Sequence, residues 1–249
     1  MSFNNFTSST HIKHKSILFI SPPFGNYIHL YKTIPIRGSF TLHERPGKWS
    51  QIFKTLRYIP HLNGWVNRIG LRNPGIDYAI KTYKKGQIIS IAIMDEKEIK
   101  PIVNKIPENM DIELNVSCPN TNKHLINKGL KVFLNKKRDW CIIKLPPIHC
   151  REDFDRYYKE GFRQFHVSNT LSTKHGGLSG PLIKPYTENN IQYIRKFYKN
   201  CVIIAGGGIR CTKDIENYRS YGADHFSISS LCFNPISFLK FYWDFTNQF

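Results

Sequence analysis

A thiol and two side-chain amides lie close together in the middle of the chain, directly after an apolar run. Residues 113–120 read Glu-Leu-Asn-Val-Ser-Cys-Pro-Asn. Because proline cannot donate to a sheet ladder, a strand here is predicted to end before Pro119. Cys118 then stands between Asn115 and Asn120 at the end of a strand. Two amides can hold a planar polar ligand while the thiol handles a proton, whereas the simpler interpretation is a buried cysteine near a turn.

Two loops nearer the carboxyl end of the chain are candidates for binding an anion. Gly206, Gly207 and Gly208 follow an apolar run and precede a helical pattern. Glycine lets the backbone approach an anion closely, and its amides can point at that anion. Ser229 and Ser230 follow the next apolar run and could add hydroxyl and amide donors. The two loops predict a phosphate site, with ordinary turns as the alternative.

A lysine and a long glycine-rich stretch are further candidates. Lys144 ends an otherwise apolar run just before Pro146 and Pro147. A lysine that points into a pocket needs an anionic or electron-rich partner, although a lysine at a strand end can also extend along its own stem to solvent. The segment 168–181 joins Ser-Asn-Thr to a glycine-rich stretch. This segment could wrap a large flat ligand or be a plain surface loop.

The elements that must position these residues follow from short apolar runs that alternate with amphipathic stretches. This alternation is typical of parallel β/α units. Eight strands with helical connections favour an α/β fold of the closed (β/α)8 TIM-barrel type, a single domain at 16–249 preceded by a disordered polar segment at 1–15. Strands are predicted at 16–20, 33–39, 87–92, 111–116, 140–144, 163–167, 201–205 and 224–228, and helices at 76–84, 95–105, 152–160, 187–199, 212–221 and 235–246, with Asp95 and Thr212 as N-caps and Gly161 and Gly222 as helix stops.

Such a barrel makes a definite demand on the polar residues, because its reactive groups belong at the carboxyl ends of the strands. The polar features described above meet this demand and are therefore expected to converge on one face. In chain order they are Ser21, Asn115 with Cys118, Lys144, Ser168 with Asn169 and Thr170, the three glycines 206–208, and Ser229 with Ser230.

Length and composition fit one barrel and argue against several other classes. The chain has 249 residues and is 41% hydrophobic, enough for a substantial core. No apolar run reaches the ~18 residues of a membrane span, and the polar start is unlike a signal peptide. None of the six cysteines forms a C-x-x-C pair, so we predict no metal site and expect free thiols in a reducing, cytoplasmic compartment.

The net charge of +18 favours polyanions such as nucleic acid, acidic membrane surfaces or phosphorylated ligands. The basic residues are spread along the chain and are not gathered in an arm. Because Lys, Asn, Ile and Tyr are abundant throughout, compositional drift together with an anionic ligand is the alternative explanation, and a nucleic-acid partner is not favoured.

Six ordered motifs of this chain resemble the dihydroorotate dehydrogenases, FMN-dependent (β/α)8 barrels of pyrimidine synthesis. The resemblance runs from about residue 16 to residue 240, and Cys118 places it with the soluble, cysteine-type, class 1-like branch. The motifs are Glu-Leu-Asn-Val-Ser-Cys-Pro-Asn (113–120), Asn-Arg-Ile-Gly-Leu-Arg-Asn-Pro-Gly (67–75), Ile-Lys-Leu-Pro-Pro (143–147), Ser-Asn-Thr (168–170), Gly-Gly-Leu-Ser-Gly-Pro-Leu-Ile-Lys-Pro (176–185) and Ala-Gly-Gly-Gly-Ile (205–209).

The resemblance implies oxidation of dihydroorotate to orotate, with Cys118 as the general base and hydride transfer to N5 of FMN. It also implies a small pyrimidine substrate, a homodimer and no membrane partner. The residues implied for the substrate are Asn67, Ile69, Gly70, Leu71, Asn115, Asn120, Asn169 and Thr170, and those implied for FMN are Ser21, Ser39, Asn115, Lys144, Ser168, Gly177, Gly207, Gly208, Ser229 and Ser230.

Three positions depart from the family pattern and leave other functions open. Pro22 stands in a loop where the family has glycine, Ser229 also replaces a glycine, and a family lysine that contacts flavin and substrate should fall near Gly38. Either the neighbouring Arg37 substitutes for that lysine or the contact is lost. The alternatives are a flavin barrel that acts on tRNA dihydrouridine and a degenerate, non-catalytic basic binding protein.

Overall fold

The computed structural model of the protein describes residues 15–116, 128–148 and 151–249, so the segment predicted at 1–15 falls outside it apart from Lys15. The strands in these residues are β1 (Leu18–Ile20), β2 (Thr33–Phe40), β3 (Arg57–Ile59), β4 (Gly64–Asn67), β5 (Ile88–Ala92), β6 (Ile112–Asn115), β7 (Cys141–Leu145), β8 (Gln164–Val167), β9 (Leu171–Thr173), β10 (Gly176–Ser179), β11 (Val202–Gly206) and β12 (His225–Ile228). The helices are α1 (Lys48–Thr55), α2 (Gly75–Lys81), α3 (Ile99–Lys105), α4 (Arg151–Glu160), α5 (Lys184–Phe197), α6 (Thr212–Ser220) and α7 (Pro235–Gln248).

Eight of these strands, all parallel, close a barrel in the order β1-β2-β5-β6-β7-β8-β11-β12. The predicted (β/α)8 fold is confirmed. Each predicted barrel strand overlaps an observed one, because parallel strands that are buried on both faces read as nearly continuous apolar runs. Helices α2 to α7 likewise coincide with the predicted helical stretches. No helix among the described residues is both long and apolar enough to cross a bilayer.

The helix ends show how local side chains fix these boundaries. Asp95 accepts a hydrogen bond of 2.9 Å from the N–H of Lys97, as an N-cap should. The prediction of Thr212 as an N-cap is wrong, because Cys211 occupies that position. Asp214, on the first turn of α6, accepts hydrogen bonds from the N–H groups of Arg210 at 2.7 Å and Cys211 at 3.3 Å, so the cap lies one residue before the predicted position while the helix itself begins at Thr212 as predicted.

The outward faces of the barrel strands pack against the helices. Leu114 on β6 and Phe165 on β8 are fully buried in a large core, to which α4 contributes Phe154 and α5 contributes Ile191. The rings of Phe154 and Phe165 lie 4.4 Å apart, centroid to centroid. Helix packing on every side therefore removes the outer face of the barrel from water and stabilises it.

The lower part of the barrel interior is filled by one apolar layer. This layer is a hydrophobic cluster separate from the large core described above, and all its core members have no solvent exposure. Trp140 packs against this layer, with its ring 5.3 Å from that of Phe19 in an edge-to-face arrangement. Bulky side chains from different strands thus close the barrel floor, as the fold requires. The members are Phe19, Ile36, Ile88, Ile142 and Ile204.

A four-stranded antiparallel sheet, in the order β3-β4-β10-β9, was not predicted. Its strands have only three or four residues each, too few to show a clear alternation of apolar and polar side chains. Val66 on β4 pairs with Leu178 on β10, and together with Ile59 they form a small buried cluster. This sheet joins the loop that begins at Asn67 to the glycine-rich segment, so two predicted loop motifs form one structural unit.

Candidate active site

The barrel interior becomes polar one step above its apolar floor. Side chains on a strand alternate between the two faces, so the residue two positions after an inward isoleucine also points inward. Ile88 is followed in this way by Ser90, and Ile142 is followed by Lys144. These inward positions carry Ser90, Glu113, Lys144, His166 and Ser227, all of them buried.

Glu113 is the centre of this polar layer. Its side chain has no solvent exposure, and its Oε1 accepts a hydrogen bond of 2.7 Å from the hydroxyl of Ser90. The Nδ1 of His166 lies 2.6 Å from Oε2, and the Nζ of Lys144 lies 3.6 Å from Oε1. Burial alone would raise the pKa of Glu113, but the charge of Lys144 and the hydrogen bonds from His166 and Ser90 lower that pKa to about 2.

His166 is a neutral partner in this cluster. Burial lowers the pKa of His166, and so does the neighbouring charge of Lys144, while Glu113 opposes both effects. A neutral imidazole donates from one nitrogen only, and the carboxylate can only accept, so we assign the proton to Nδ1. A side chain on Gly206 would begin 2.7 Å from Nε2, so this glycine leaves room for the imidazole.

A chain of hydrogen bonds connects Glu113 to the upper rim of the barrel. The amide Nδ2 of Asn169 donates to Oδ1 of Asn115 at 3.0 Å, and Nδ2 of Asn115 donates to the hydroxyl of Ser39 at 3.1 Å. The hydroxyls of Ser39 and Ser90 are 2.9 Å apart. Because Ser90 gives its proton to the carboxylate, Ser39 must donate to Ser90. The ionised carboxylate therefore fixes the orientation of both amides above it.

Two cavities open at this rim. The larger has a volume of about 480 Å³, within the usual range for small-molecule sites, and its lining mixes amides with apolar side chains. The smaller has a volume of about 80 Å³ and lies beside the loops that follow β11 and β12. Lys144, Asn169, Thr170 and Pro22 line both cavities, so the two spaces meet at these residues.

The smaller cavity is lined by residues whose backbone N–H groups have no acceptor among the described residues. Five such residues lie in two loops, three after β11 and two after β12, and none of their N–H groups donates to an acceptor in the described part of the chain. Such clustered amides are suited to an anion, because a buried N–H without an acceptor is costly. The five residues are Gly207, Gly208, Ile209, Ser229 and Ser230.

The glycines of this loop also have a packing role. Gly207 has a φ of 90° and Gly208 a φ of 77°, in the left-handed region that favours glycine. A Cβ on Gly207 would lie 2.6 Å from the side chain of Ile183, and one on Gly208 would lie 2.8 Å from the side chain of Lys184. The short turn before α5 therefore packs directly against the loop, and both turn formation and close approach require glycine.

Three predicted serine hydroxyls are already engaged within the protein. Ser21 and Ser227 share a hydrogen bond of 2.6 Å across the barrel interior, and Ser229 donates to the carbonyl of Pro22 at 2.9 Å. The hydroxyl of Ser168 is 3.1 Å from that of Thr187. At Ser229, which lines the smaller cavity, the hydroxyl proton is therefore committed, and the backbone N–H is the donor without an acceptor among the described residues.

The loop that follows β4 is held against the larger cavity by Asn73. Its Oδ1 accepts from the N–H groups of Thr41 at 3.1 Å and Gly75 at 2.8 Å, and its Nδ2 donates to the carbonyl of Leu71 at 2.6 Å. Leu71 has a φ of 56°, which few non-glycine residues adopt, so these hydrogen bonds fix an uncommon backbone conformation.

Arg37 does not take the place of the lysine that the family pattern predicts near Gly38. Although Arg37 borders the larger cavity, its guanidinium is engaged within the protein, donating to the carbonyl and hydroxyl of Thr82 at 2.8 and 2.9 Å and to Gln87 at 3.2 Å. Gly38 takes the inward position instead. A Cβ there would be 2.5 Å from the carbonyl oxygen of Ser90, so this backbone has no room for a side chain.

Most of the residues predicted from the sequence converge on the two cavities. Gly70 and Gly177 do not: Gly70 accepts a hydrogen bond from Arg45, and Gly177 pairs with Asn67 between β10 and β4. Cys118 and Asn120 lie outside the described residues. Those that line the larger cavity are Ser39, Asn67, Ile69, Leu71, Asn115, Lys144, Asn169 and Thr170, and those that line the smaller are Ser21, Lys144, Ser168, Asn169, Thr170, Gly207, Gly208, Ser229 and Ser230.

The sequence interpretation missed Glu113 and His166, although a signal for both was present. Glu113 stands two residues before Asn115, and His166 stands two residues before Ser168. Each therefore shares the inward face with a residue that was recognised. A charged or ionisable side chain at an inward barrel position requires a buried partner, and the two residues supply this partner to each other.

Comparison with known proteins identifies the family. The family profile described as dihydroorotate dehydrogenase matches residues 31–138 and 160–239, which is more than half of the chain. The chain belongs to the dihydroorotate dehydrogenase family. This membership confirms the resemblance described from the motifs and makes the protein an oxidoreductase of a flavin-dependent family.

Individual relatives of the dihydroorotate dehydrogenase family agree with the profile. The catalytic subunit of dihydroorotate dehydrogenase B (NAD(+)) from Thermotoga maritima is 26% identical over 250 residues, covering 87% of this chain and 91% of the relative. The corresponding subunit from Porphyromonas gingivalis is 28% identical over 236 residues, covering 81% and 74%. The crystal structure of the Eimeria tenella dihydroorotate dehydrogenase in complex with ferulenol superposes with a TM-score of 0.67 at 17% identity, covering 85% of this chain and 74% of that one, and supports the fold.

Proposed function

We propose that this protein oxidises dihydroorotate to orotate with FMN as its cofactor. The observation that carries the proposal is the junction of the two cavities at Lys144 and Asn169. An amide-lined space of about 480 Å³ for a planar substrate meets a second space lined by residues whose backbone N–H groups have no acceptor in the described part of the chain. Family membership supports the same reaction class.

The residues around the smaller cavity fit the phosphate group of FMN. The unpaired N–H groups after β11 and β12 are the kind of donor that holds a phosphate, and Arg210 lies next to them in the chain. Lys144 stands where the two cavities meet and would be the cationic contact of the flavin ring. When bound, FMN would supply the two-electron acceptor that receives the hydride from C6 of dihydroorotate.

Asn115 and Asn169 would orient the pyrimidine. In the chain of hydrogen bonds that ends at Glu113, Asn115 donates one N–H to Ser39 and accepts at its carbonyl oxygen from Asn169, and this leaves Asn115 with one N–H and one carbonyl lone pair for a ligand. A dihydropyrimidine ring presents N–H and C=O groups around its edge, which such amides complement. Asn67 and the loop up to Leu71 would cover the opposite side of the ring.

Cys118 would be the general base that removes the proton from C5. It follows the end of β6 by three residues, so its backbone continues from the strand that carries Asn115. An ordinary cysteine has a pKa of about 8.5, so a site that excludes water and stabilises the thiolate would be needed for rapid proton transfer near neutral pH. Removal of this base should cost about 10²–10⁴-fold in rate.

The experiment loads the full chain with FMN and adds dihydroorotate without oxygen. We expect the visible flavin absorbance to be lost, and Cys118→Ala to keep FMN but lose flavin reduction by about 10²–10⁴-fold. Cys211→Ala is the matched control, because Cys211 is exposed at the start of α6. Protein that takes up no FMN, or a Cys118→Ala variant that reduces its flavin at the normal rate, would contradict the proposal.

The electron acceptor is a separate question. Both relatives described above are named as catalytic subunits of an NAD(+)-type enzyme, so NAD+ is the first acceptor to test. The test is reoxidation of the dihydroorotate-reduced flavin by NAD+ or by fumarate. Reoxidation by fumarate alone would exclude the NAD-type assignment.

A further inference from the structure

The buried cluster below Lys144 has no assigned part in binding or chemistry. Glu113 is fully buried, and its carboxylate is held by a hydrogen bond from Ser90, by the imidazole of His166 and by the ammonium of Lys144. A buried carboxylate is expensive to maintain, and an apolar residue of similar volume would often be at least as stable. Retention of such a group beneath a cofactor site calls for a functional explanation.

The charges of this cluster balance. Within the described residues, Lys144 and Glu113 are the charged side chains at the inward positions of this layer, and His166 is neutral. The distance of 3.6 Å between Nζ of Lys144 and Oε1 of Glu113 lets the carboxylate offset most of the field of the ammonium. Ser90 and His166 hold one carboxylate oxygen each, so the negative charge cannot move away from Lys144.

We propose that Glu113, held by His166 and Ser90, sets the reduction potential of the bound flavin by offsetting the positive charge of Lys144. This inference rests on the proposed function, because it requires FMN at the junction of the two cavities. Glu113 is a positioning and charge-compensating residue in this account, since it acts through Lys144 and does not itself line either cavity.

The physical reason is the change of charge on the flavin. A reduced flavin carries more negative charge than an oxidised one, so an uncompensated ammonium next to it would favour the reduced form. A neutral Lys144–Glu113 pair exerts a weaker field and leaves the flavin easier to reoxidise. A carboxylate without the lysine would do the opposite and favour the oxidised form.

The test measures the midpoint potential of FMN bound to the full chain, by equilibration with redox dyes. Lys144→Met should lower the preference of the site for reduced over oxidised flavin about tenfold, which is about 30 mV for a two-electron couple. The double variant Lys144→Met/Glu113→Gln removes both charges together and should return within about threefold of the wild type. Glu113→Gln alone should shift the preference about tenfold in the opposite direction.

The controls separate this inference from the proposed function and from misfolding. Ile142→Val alters the same strand two residues below Lys144, within the apolar floor, and should leave the potential unchanged. If Glu113→Gln does not fold, the charge-neutral double variant still decides the matter. A double variant with the potential of Lys144→Met alone would overturn the inference while FMN binding stands, whereas a wild-type chain that binds no FMN would refute the proposed function itself.

Discussion

The two inward-facing layers of the barrel lie next to each other, and β5 and β7 contribute to both, but the layers have opposite chemistry. The lower layer consists of side chains such as Phe19 and Ile142, with no polar group and no exposure. The upper layer, which on β7 begins two residues after Ile142, holds Glu113, Lys144 and His166. One step of the pleat, about 6.6 Å, separates a layer of apolar side chains from a layer of buried charged and polar side chains.

This comparison predicts a division of labour between the layers. Truncation in the lower layer should reduce the free energy of unfolding and leave ligand affinity unchanged, because the floor does not reach either cavity. Changes in the upper layer should affect both, since its side chains hold one another in place and Lys144 and His166 line the cavities. Four substitutions test this division, beginning with the largest expected effect.

The largest effect is expected from Glu113→Ala. This change leaves the ammonium of Lys144 buried without its carboxylate and should lower the free energy of unfolding by about 3–5 kcal/mol. Urea unfolding followed by circular dichroism measures the loss. Glu96→Ala, at an exposed glutamate, is the control and should change stability by less than about 0.5 kcal/mol. Equal losses in the free energy of unfolding for the two variants would show that the buried pair of Lys144 and Glu113 does not stabilise the fold.

The lower layer is tested by Ile142→Ala. Removal of this fully buried side chain should cost about 2–5 kcal/mol through lost burial and an unfilled cavity. The dissociation constant for FMN, measured by quenching of flavin fluorescence under conditions where the variant is folded, should stay within about twofold of the wild type. A large loss of FMN affinity would show that the two layers are not separable.

The rim of the upper layer is tested by a pair of glycines with the same backbone angle. Gly47 and Gly207 both have a φ of 90°, but a Cβ on Gly47 meets nothing within 4 Å, while one on Gly207 lies 2.6 Å from Ile183. Gly47→Ala should therefore show backbone strain alone, about 1–2 kcal/mol. Gly207→Ala should cost about 1–3 kcal/mol more and also weaken FMN binding. Equal effects of the two substitutions on stability and on FMN binding would show that close packing at Gly207 is not important.

The smallest effect concerns the pH dependence of stability. Burial lowers the pKa of His166, so below about pH 6.5 the unfolded chain takes up a proton that the folded chain does not. Stability should consequently fall as the pH drops below 6.5, with a slope of up to about 1.4 kcal/mol per pH unit from this group. His166→Gln should remove this contribution, whereas His61→Gln, at an exposed histidine, should retain it. An unchanged slope in His166→Gln would show that His166 is not the neutral, buried group described above.

The sequence predicted the barrel well, because its signal is local. Strand β11 reads Val-Ile-Ile-Ala-Gly and is unmistakable as a buried strand that ends at a turn. Helix α1 was not predicted, although Trp49, Ile52 and Phe53 stand at helical spacing, and none of its residues is buried in the structure. The small antiparallel sheet was missed because Val66 and Leu178 become partners only through a pairing across more than 100 residues of chain.

The candidate site was predictable as far as residue types at strand ends carry information. Asn115, Lys144 and the glycines after β11 were recognised in this way, and all of them line a cavity. Glu113 was missed because its importance lies in contacts with three other strands, through Ser90 on β5, Lys144 on β7 and His166 on β8. The sequence left open whether Arg37 replaces the lysine of the family pattern. Side chains alternate along β2, so Ile36 points into the barrel interior, whereas the guanidinium of Arg37 donates to Thr82.

The central claim is that dihydroorotate delivers its electrons to FMN bound at the junction of the two cavities. The most direct measurement is anaerobic titration of the FMN-loaded full chain with dihydroorotate while the visible flavin spectrum is recorded, with chemical reduction by dithionite as the reference. The account predicts that dihydroorotate reduces the flavin to the same extent as the reference, in proportion to the amount added. A flavin that dithionite reduces and dihydroorotate leaves oxidised would contradict the account.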